Sequence, residues 1–285
     1  MSAPADLPRR DGSVHRPARR ITAAGSEALD EVVAEEVAVA LVYNGISHAV
    51  MMATPCDLED FARGFSLTER IVEQPSEIYD IEVEDVTIAG GGRGIEVRLE
   101  IASQRLAGLQ ERRRSLAGRT GCGLCGVDSL EAALRAVPLS AGQGPGPVSR
   151  AAIERAMAAL PAWQRINRLN GATHAAGWAA ADGELVLVRE DVGRHNALDK
   201  LGGALANSGN TAAGTARPGG FVVVTSRCSY EMVQKAAALG AVAIAAVSAP
   251  TSLAIETAEQ AGIALVAFVR GGRLTVYAHA ERIVA

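Results

Sequence analysis

Two cysteines three apart stand between glycines in Thr120-Gly121-Cys122-Gly123-Leu124-Cys125-Gly126. A thiolate pair in such a segment can hold a metal, exchange an electron pair, or accept and pass on sulfane sulfur. A closed zinc site needs four ligands. No second CxxC exists, and only remote His174, His195 or Cys228 could complete a set. A thioredoxin-type dithiol belongs at a strand-to-helix junction of a βαβ unit, whereas this pair lies between two patterned regions. Inert structural thiols do not need the flanking glycines. Persulfide carriage does, because glycines give the loop freedom to move between donor and acceptor. Arg119 and the Arg112-Arg113-Arg114 run supply positive charge that can favour the thiolate. Cys125 could attack the inner sulfur of a persulfide on Cys122, releasing sulfide and leaving a disulfide.

Four further segments could bind a ligand. Arg189-Glu190-Asp191-Val192-Gly193-Arg194-His195-Asn196 ends a strand and opens a helix. That junction is where open α/β sheets place ligands, and a helix N-terminus favours anions. Capping and surface ion pairs are the plainer reading of the same residues. Thr225-Ser226-Arg227-Cys228-Ser229 has the same topology, with Cys228 read as a packing residue. Phe268-Val269-Arg270-Gly271-Gly272-Arg273 offers two forked cations around a glycine turn. A plain Gly-Gly hairpin with exposed arginines explains it equally well. His174, in Thr173-His174-Ala175-Ala176, reads first as a hydrogen-bonded core histidine.

The elements that must position these residues follow a two-part pattern. Residues 1–24 are polar, basic and proline-containing, which predicts a disordered tail. Residues 25–117 predict a small α+β domain. There Asn44-Gly45 joins the apolar runs Val37–Tyr43 and Ser47–Met52 as a hairpin. Asp57 is expected to N-cap a helix running to about Val72. Residues 118–148 hold the CxxC loop, a helix over 128–136 and a Gly/Pro linker. From 149 to 285, strands and helices alternate in the manner of a three-layer α/β domain.

The 285 residues carry a formal net charge of −4, with 48% hydrophobic and 4% aromatic residues. That composition permits a sizeable core and argues against a nucleic-acid partner. The four cysteines are too few for a secreted disulfide framework. No apolar run is long enough to span a bilayer, so the expectation is a cytoplasmic protein with no membrane partner.

In order along the chain, Gly118–Gly126, Thr173–Ala176, Glu190–Lys200, Glu231–Lys235, Ser248–Ser252 and Phe268–Arg273 resemble the motifs of the FdhD family. These are sulfurtransferases that mature formate dehydrogenases. The resemblance implies a cysteine desulfurase as sulfur donor. It implies the molybdenum of Mo-bis(molybdopterin guanine dinucleotide) as acceptor, and formate dehydrogenase as the client. It further implies a homodimer and a cytidine-deaminase-like C-terminal domain. By the same resemblance Cys122 carries the persulfide, Cys125 is its partner, and Phe268–Arg273 binds the cofactor. The zinc-deaminase ligands are missing, since Ala175-Ala176 follows His174 and no Pro-Cys-x-x-Cys occurs. No structural metal is therefore expected. A non-catalytic cofactor chaperone and a dithiol oxidoreductase are the alternative functions.

Overall fold

The computed structural model describes residues 11–116, 147–208 and 220–285. Cys122, Cys125, the expected 128–136 helix and most of the linker lie outside the described residues. Two hydrophobic cores organise the rest.

The first core belongs to a four-stranded sheet built from β3 (Val37–Tyr43), β4 (Ile46–Ala53), β5 (Ile78–Thr87) and β6 (Arg93–Ile101), in the order β4-β3-β6-β5. β3 and β6 run parallel and the outer pairs antiparallel. Val39, Leu41 and Tyr43 alternate inward with Ile95, Val97 and Leu99, as a one-sided sheet requires. Helix α1 (Leu58–Thr68) covers that face through Leu58, Phe61 and Phe65. The expected turn is present, with Asn44 and Gly45 at φ 45° and 79°.

The start and end of α1 depart from expectation. Asp57 occupies the N-cap position but has left-handed backbone and makes no capping bond; its carboxylate instead lies 3.8 Å from Arg189 Nε. The helix ends at Thr68, because Arg70 turns left-handed and the Ile71 and Val72 N–H groups return to the Ser66 carbonyl. Helix α2 (Ser103–Leu116) follows β6.

Ser13–Thr22 is not a disordered tail. It forms β1, paired antiparallel in unbroken register with β2 (Gly25–Ala34). Arg20 bonds Glu27 and Glu31 across the ladder, and His15 bonds Asp30.

The second core surrounds a six-stranded sheet in the order β13-β12-β11-β10-β8-β9. Its strands are β8 (His174–Ala179), β9 (Leu185–Asp191), β10 (Phe221–Val224), β11 (Ala243–Ala246), β12 (Ala264–Arg270) and β13 (Arg273–Ala278). β10, β11 and β12 are parallel; β8, β9 and β13 each run antiparallel to a neighbour. Helix α3 (Arg150–Trp163) packs Ile153, Ala156 and Leu160 on one face. The short α4 (Asn167–Asn170) follows it. Helices α5 (Arg194–Asn207), α6 (Tyr230–Ala238) and α7 (Ser252–Ala261) bury Leu198, Leu201, Met232 and Ala258 on the other face. The result is the three-layer arrangement the βα alternation predicts. A short parallel pair, β7 (Val148–Ser149) with β14 (Ile283–Val284), ties the start of α3 to the chain end.

Helix α1 also faces the second unit. Gly64 on α1 and Gly203 on α5 let the two backbones touch. A Cβ on Gly64 would overlap the Asp199 carbonyl, and one on Gly203 would overlap that of Asp60.

Candidate functional site

Strand directions gather most of the sequence candidates at one end of the six-stranded sheet. The C-terminal ends of β9, β10, β11 and β12 lie there with the N-terminal ends of β8 and β13. His174 pairs with Asp191 across β8 and β9, and the Ala175 N–H donates to Thr225 Oγ1 at 2.9 Å. Asp191–Asn196, Thr225–Ser229 and Phe268–Arg273 therefore share one rim. They are not in one pocket: four strand spacings separate β9 from β12, about 19 Å.

At the β12 end a cleft of about 480 Å³ is lined by Arg150, Phe268, Arg270, Gly272 and Arg273, with Leu274 and Thr275. Arg270 and Arg273 are cross-strand partners flanking Gly271 and Gly272, whose φ values of 58° and 70° suit glycine. Val269 is buried beneath. Arg150, absent from the sequence candidates, bonds the Gly272 carbonyl at 2.7 Å and Glu154 at 2.9 Å. A lone arginine at a helix start gives no local signal of a partner more than a hundred residues downstream. Three guanidinium groups on one concave surface suit phosphate oxygens, which accept paired N–H donors.

At the β9 end the motif has a different use. Asp191 and Lys200 are fully buried and paired at 2.7 Å. Asp191 Oδ2 also accepts from the Thr54 N–H, and Oδ1 accepts from the Gly193 N–H and Asn196 Nδ2. Asn196 Nδ2 also reaches the Met52 carbonyl, and Lys200 Nζ donates to the Thr54 carbonyl at 2.9 Å. The Asp191 carboxylate and the Asn196 Nδ2 group are thus occupied within the protein, each with one bond that joins the two units, to Thr54 and Met52. Glu190 instead works within the second unit, accepting from the Ile166 and Asn167 N–H groups and Thr173 Oγ1.

A second clasp lies beside the first. Lys235 Nζ bonds Asp199 at 2.9 Å, Glu69 at 2.9 Å and Thr68 at 3.0 Å. Burial raises the Asp199 carboxyl pKa despite Lys235. Charged residues in a helical motif read as surface or ligand groups, so the sequence alone hides both clasps.

Arg194 and His195 are partly exposed, although Arg194 Nε is itself buried with no hydrogen-bond partner among the described residues. His195 Nε2 lies 2.9 Å from Glu231 Oε2 and 3.4 Å from Ser229 Oγ. The pairing with His195 lowers the Glu231 pKa. His174 is half-buried, and desolvation, helped by the Arg194 charge, lowers its pKa from the ordinary 6.5. Ser226 is buried with its hydroxyl on the Arg227 carbonyl, while Arg227 is exposed. Cys228 is fully buried in the second core, as a packing residue should be. Burial pushes its thiol up to about 12 and that of Cys56 to about 11. Neither provides a thiolate near neutral pH. Among the described residues no group of three or more His, Cys, Asp or Glu could hold a metal, and no helix is long and apolar enough to cross a membrane.

Fold and rim together define a mixed α/β protein with a basic cleft at the strand ends of its larger sheet. The chain belongs to the FdhD/NarQ family, whose model matches residues 34–284. It is 57% identical over 260 residues to a Cupriavidus necator protein named sulfur carrier protein FdhD, covering 89% of this chain and 84% of that one. A Bordetella petrii protein of the same name is 51% identical, with 91% and 89% covered. A crystal structure from Desulfotalea psychrophila, named for a formate dehydrogenase accessory role, superposes with a TM-score of 0.69. It covers 95% of this chain and 99% of that one, at 24% identity, and so speaks to the fold alone. The family resemblance read from the motifs is borne out.

Proposed function

We infer that this protein is a sulfur carrier in formate dehydrogenase maturation. The observation that carries the reading is the glycine-flanked Cys122/Cys125 pair in a chain whose relatives, up to 57% identical, are named sulfur carrier proteins. The raised pKa values of Cys56 and Cys228 support it, because they leave the CxxC pair to supply the thiolate.

In the reaction proposed, the Cys122 thiolate attacks the outer sulfur of a persulfide on a cysteine desulfurase. The donor S–S bond breaks, the donor cysteine leaves as thiolate, and Cys122 becomes a persulfide. The sulfur is then delivered to the molybdenum of bis(molybdopterin guanine dinucleotide), which is substrate here and not a resident group. Attack by the Cys125 thiolate on the inner sulfur would release sulfide, taken up with a proton as hydrosulfide, and leave a Cys122–Cys125 disulfide. The cleft of Arg150, Arg270 and Arg273 fits one phosphate-bearing end of that substrate. Arg194, His195 and Arg227, further along the rim, suit a ligand long enough to span several strands.

The test is intact mass spectrometry after incubation with a cysteine desulfurase and cysteine. One added sulfur, lost on reduction and absent in Cys122→Ala, is the expected result. No adduct on the native chain, with full client activation by Cys122→Ala, would leave a cofactor-shielding chaperone in its place.

A further inference from the structure

Helix α1 covers one face of the four-stranded sheet, and the other face is divided in two. On the β3–β4 side it carries Ala38 and Ala40, both partly exposed, beside Val50 and Met52, which are 56% and 51% exposed. A sheet face turned to water ordinarily carries polar residues. On the β5–β6 side Asp80, Glu82 and Glu84 stand opposite Glu100, Arg98 and Glu96. Asp80 and Glu100 are thus cross-strand partners, as are Glu84 and Glu96, and like charges placed directly opposite destabilise a sheet. Arg98 reaches Glu84 and Glu96, while no described cation lies within ion-pair range of Asp80, Glu82 or Glu100. The excess runs through the unit: residues 35–102 hold fourteen Asp or Glu against four Arg, in a chain whose net charge is −4. Folding alone gives no reason to combine bare apolar surface with unbalanced carboxylates.

A cationic partner does. Its positive groups relieve the carboxylate pairs while the apolar half supplies buried area, the combination that protein interfaces use. Two proteins that hold the same phosphate-bearing cofactor in turn are both basic where they hold it, and those sites repel as they approach. The basic rim described above is one such site. The open face borders it, since the Met52 carbonyl accepts from Asn196 Nδ2 on that rim. An acidic surface beside the rim offsets the repulsion and orients the incoming protein. We propose that the open face of the four-stranded sheet docks the client enzyme, through the cationic surface around the site that receives the cofactor. The inference rests on the sulfur-carrier reading and names the surface the client meets.

The experiment measures binding of the full chain to cofactor-free formate dehydrogenase by biolayer interferometry. Glu82→Lys/Glu100→Lys reverses two exposed carboxylates on the face. Glu184→Lys/Glu256→Lys makes the same change in net charge at exposed positions of the second unit. Val50→Gln removes apolar surface and leaves the charge alone. At about 0.05 M salt the face reversal should bind about tenfold more weakly and the control pair should change by less than about twofold. The gap should close by about 0.5 M salt, because exposed charges are then screened. Val50→Gln should weaken binding at both salt concentrations. Equal losses in the face and control reversals would reduce the effect to net charge and overturn the proposal. So would an unaltered affinity in the face reversal. Loss of Cys122 sulfur loading with client affinity intact would give the face to the sulfur donor instead, and dissociation of a dimer with client affinity intact would give it to a second copy. Sulfur loading of the native chain is read separately, by mass. Its failure removes the sulfur-carrier reading, whereas loading without client binding removes the docking proposal alone.

Discussion

Replacing Lys200 with Met removes one charge from the inter-unit clasp while nearly preserving side-chain length. In the native protein Nζ sits 2.7 Å from Asp191 Oδ2 and 2.9 Å from the Thr54 carbonyl, and both ionic side chains are fully excluded from water. In Lys200→Met the Asp191 carboxylate keeps its bonds from Thr54, Gly193 and Asn196 but has no counter-charge. Breaking a buried pair from one side costs about 3–5 kcal/mol. With a urea dependence of about 3 kcal/mol/M for a chain of this size, the midpoint should fall by about 1–2 M. The assay is urea unfolding followed by circular dichroism, within a double-mutant cycle that adds Asp191→Asn. A coupling of about 2–3 kcal/mol is expected, since the double variant buries no lone charge. A loss below about 1 kcal/mol in Lys200→Met, or additive single effects, would refute the buried-clasp reasoning.

Gly64→Ala forces a methyl into the Asp199 backbone and should cost about 3 kcal/mol or more, whereas Gly108→Ala, where nothing lies near, should not destabilise. Thermal melts of the two variants provide the check. His174 has a folded-state pKa below its ordinary 6.5, with Arg194, Asp191 and His195 as its charged neighbours. The unfolded chain therefore binds that proton more readily. The stability tied to neutral His174 is fully present above pH 6.5 and is lost as pH falls towards and through the folded-state value. His174→Gln should flatten the drop in urea midpoint between about pH 7.5 and 5.5, and an equal drop in both proteins would count against it.

Much of the second unit was legible because its strands are short apolar runs and its helices carry their own periodicity. Phe221–Val224 and Ala243–Ala246 are unbroken apolar runs within the alternating region. The Asn44-Gly45 turn was legible because its chemistry is local. β1 was not: its stability comes from a cross-strand ladder and from Arg20 meeting Glu27 and Glu31, and no apolar alternation announces it. Of the rim, Arg270 and Arg273 were visible as a motif, while the left-handed backbone of Phe268, at φ 55°, and the reach of Arg150 depend on tertiary geometry. Asp191 and Asn196 stand out in the sequence as candidate cofactor-binding residues, whereas their bonds run to Thr54 and Met52 across the chain. Gly64 and Gly203 sit inside helical patterns, where glycine costs about 1 kcal/mol against alanine and implies a packing reason.

The lysine clasp also sets a timetable for synthesis. Lys200 lies 146 residues downstream of the Thr54 carbonyl it caps. At about 5–20 residues per second, some 7–30 s pass between the emergence of one and the other. Through that interval the nascent N-terminal unit holds α1 with its Gly64 face uncovered and the Met52–Thr54 backbone unclasped. Contacts so distant in sequence form slowly, so the late arrival of α5 governs when this unit is finally sealed. The growing chain is therefore most exposed to chaperones and proteases while α5 is still inside the ribosome.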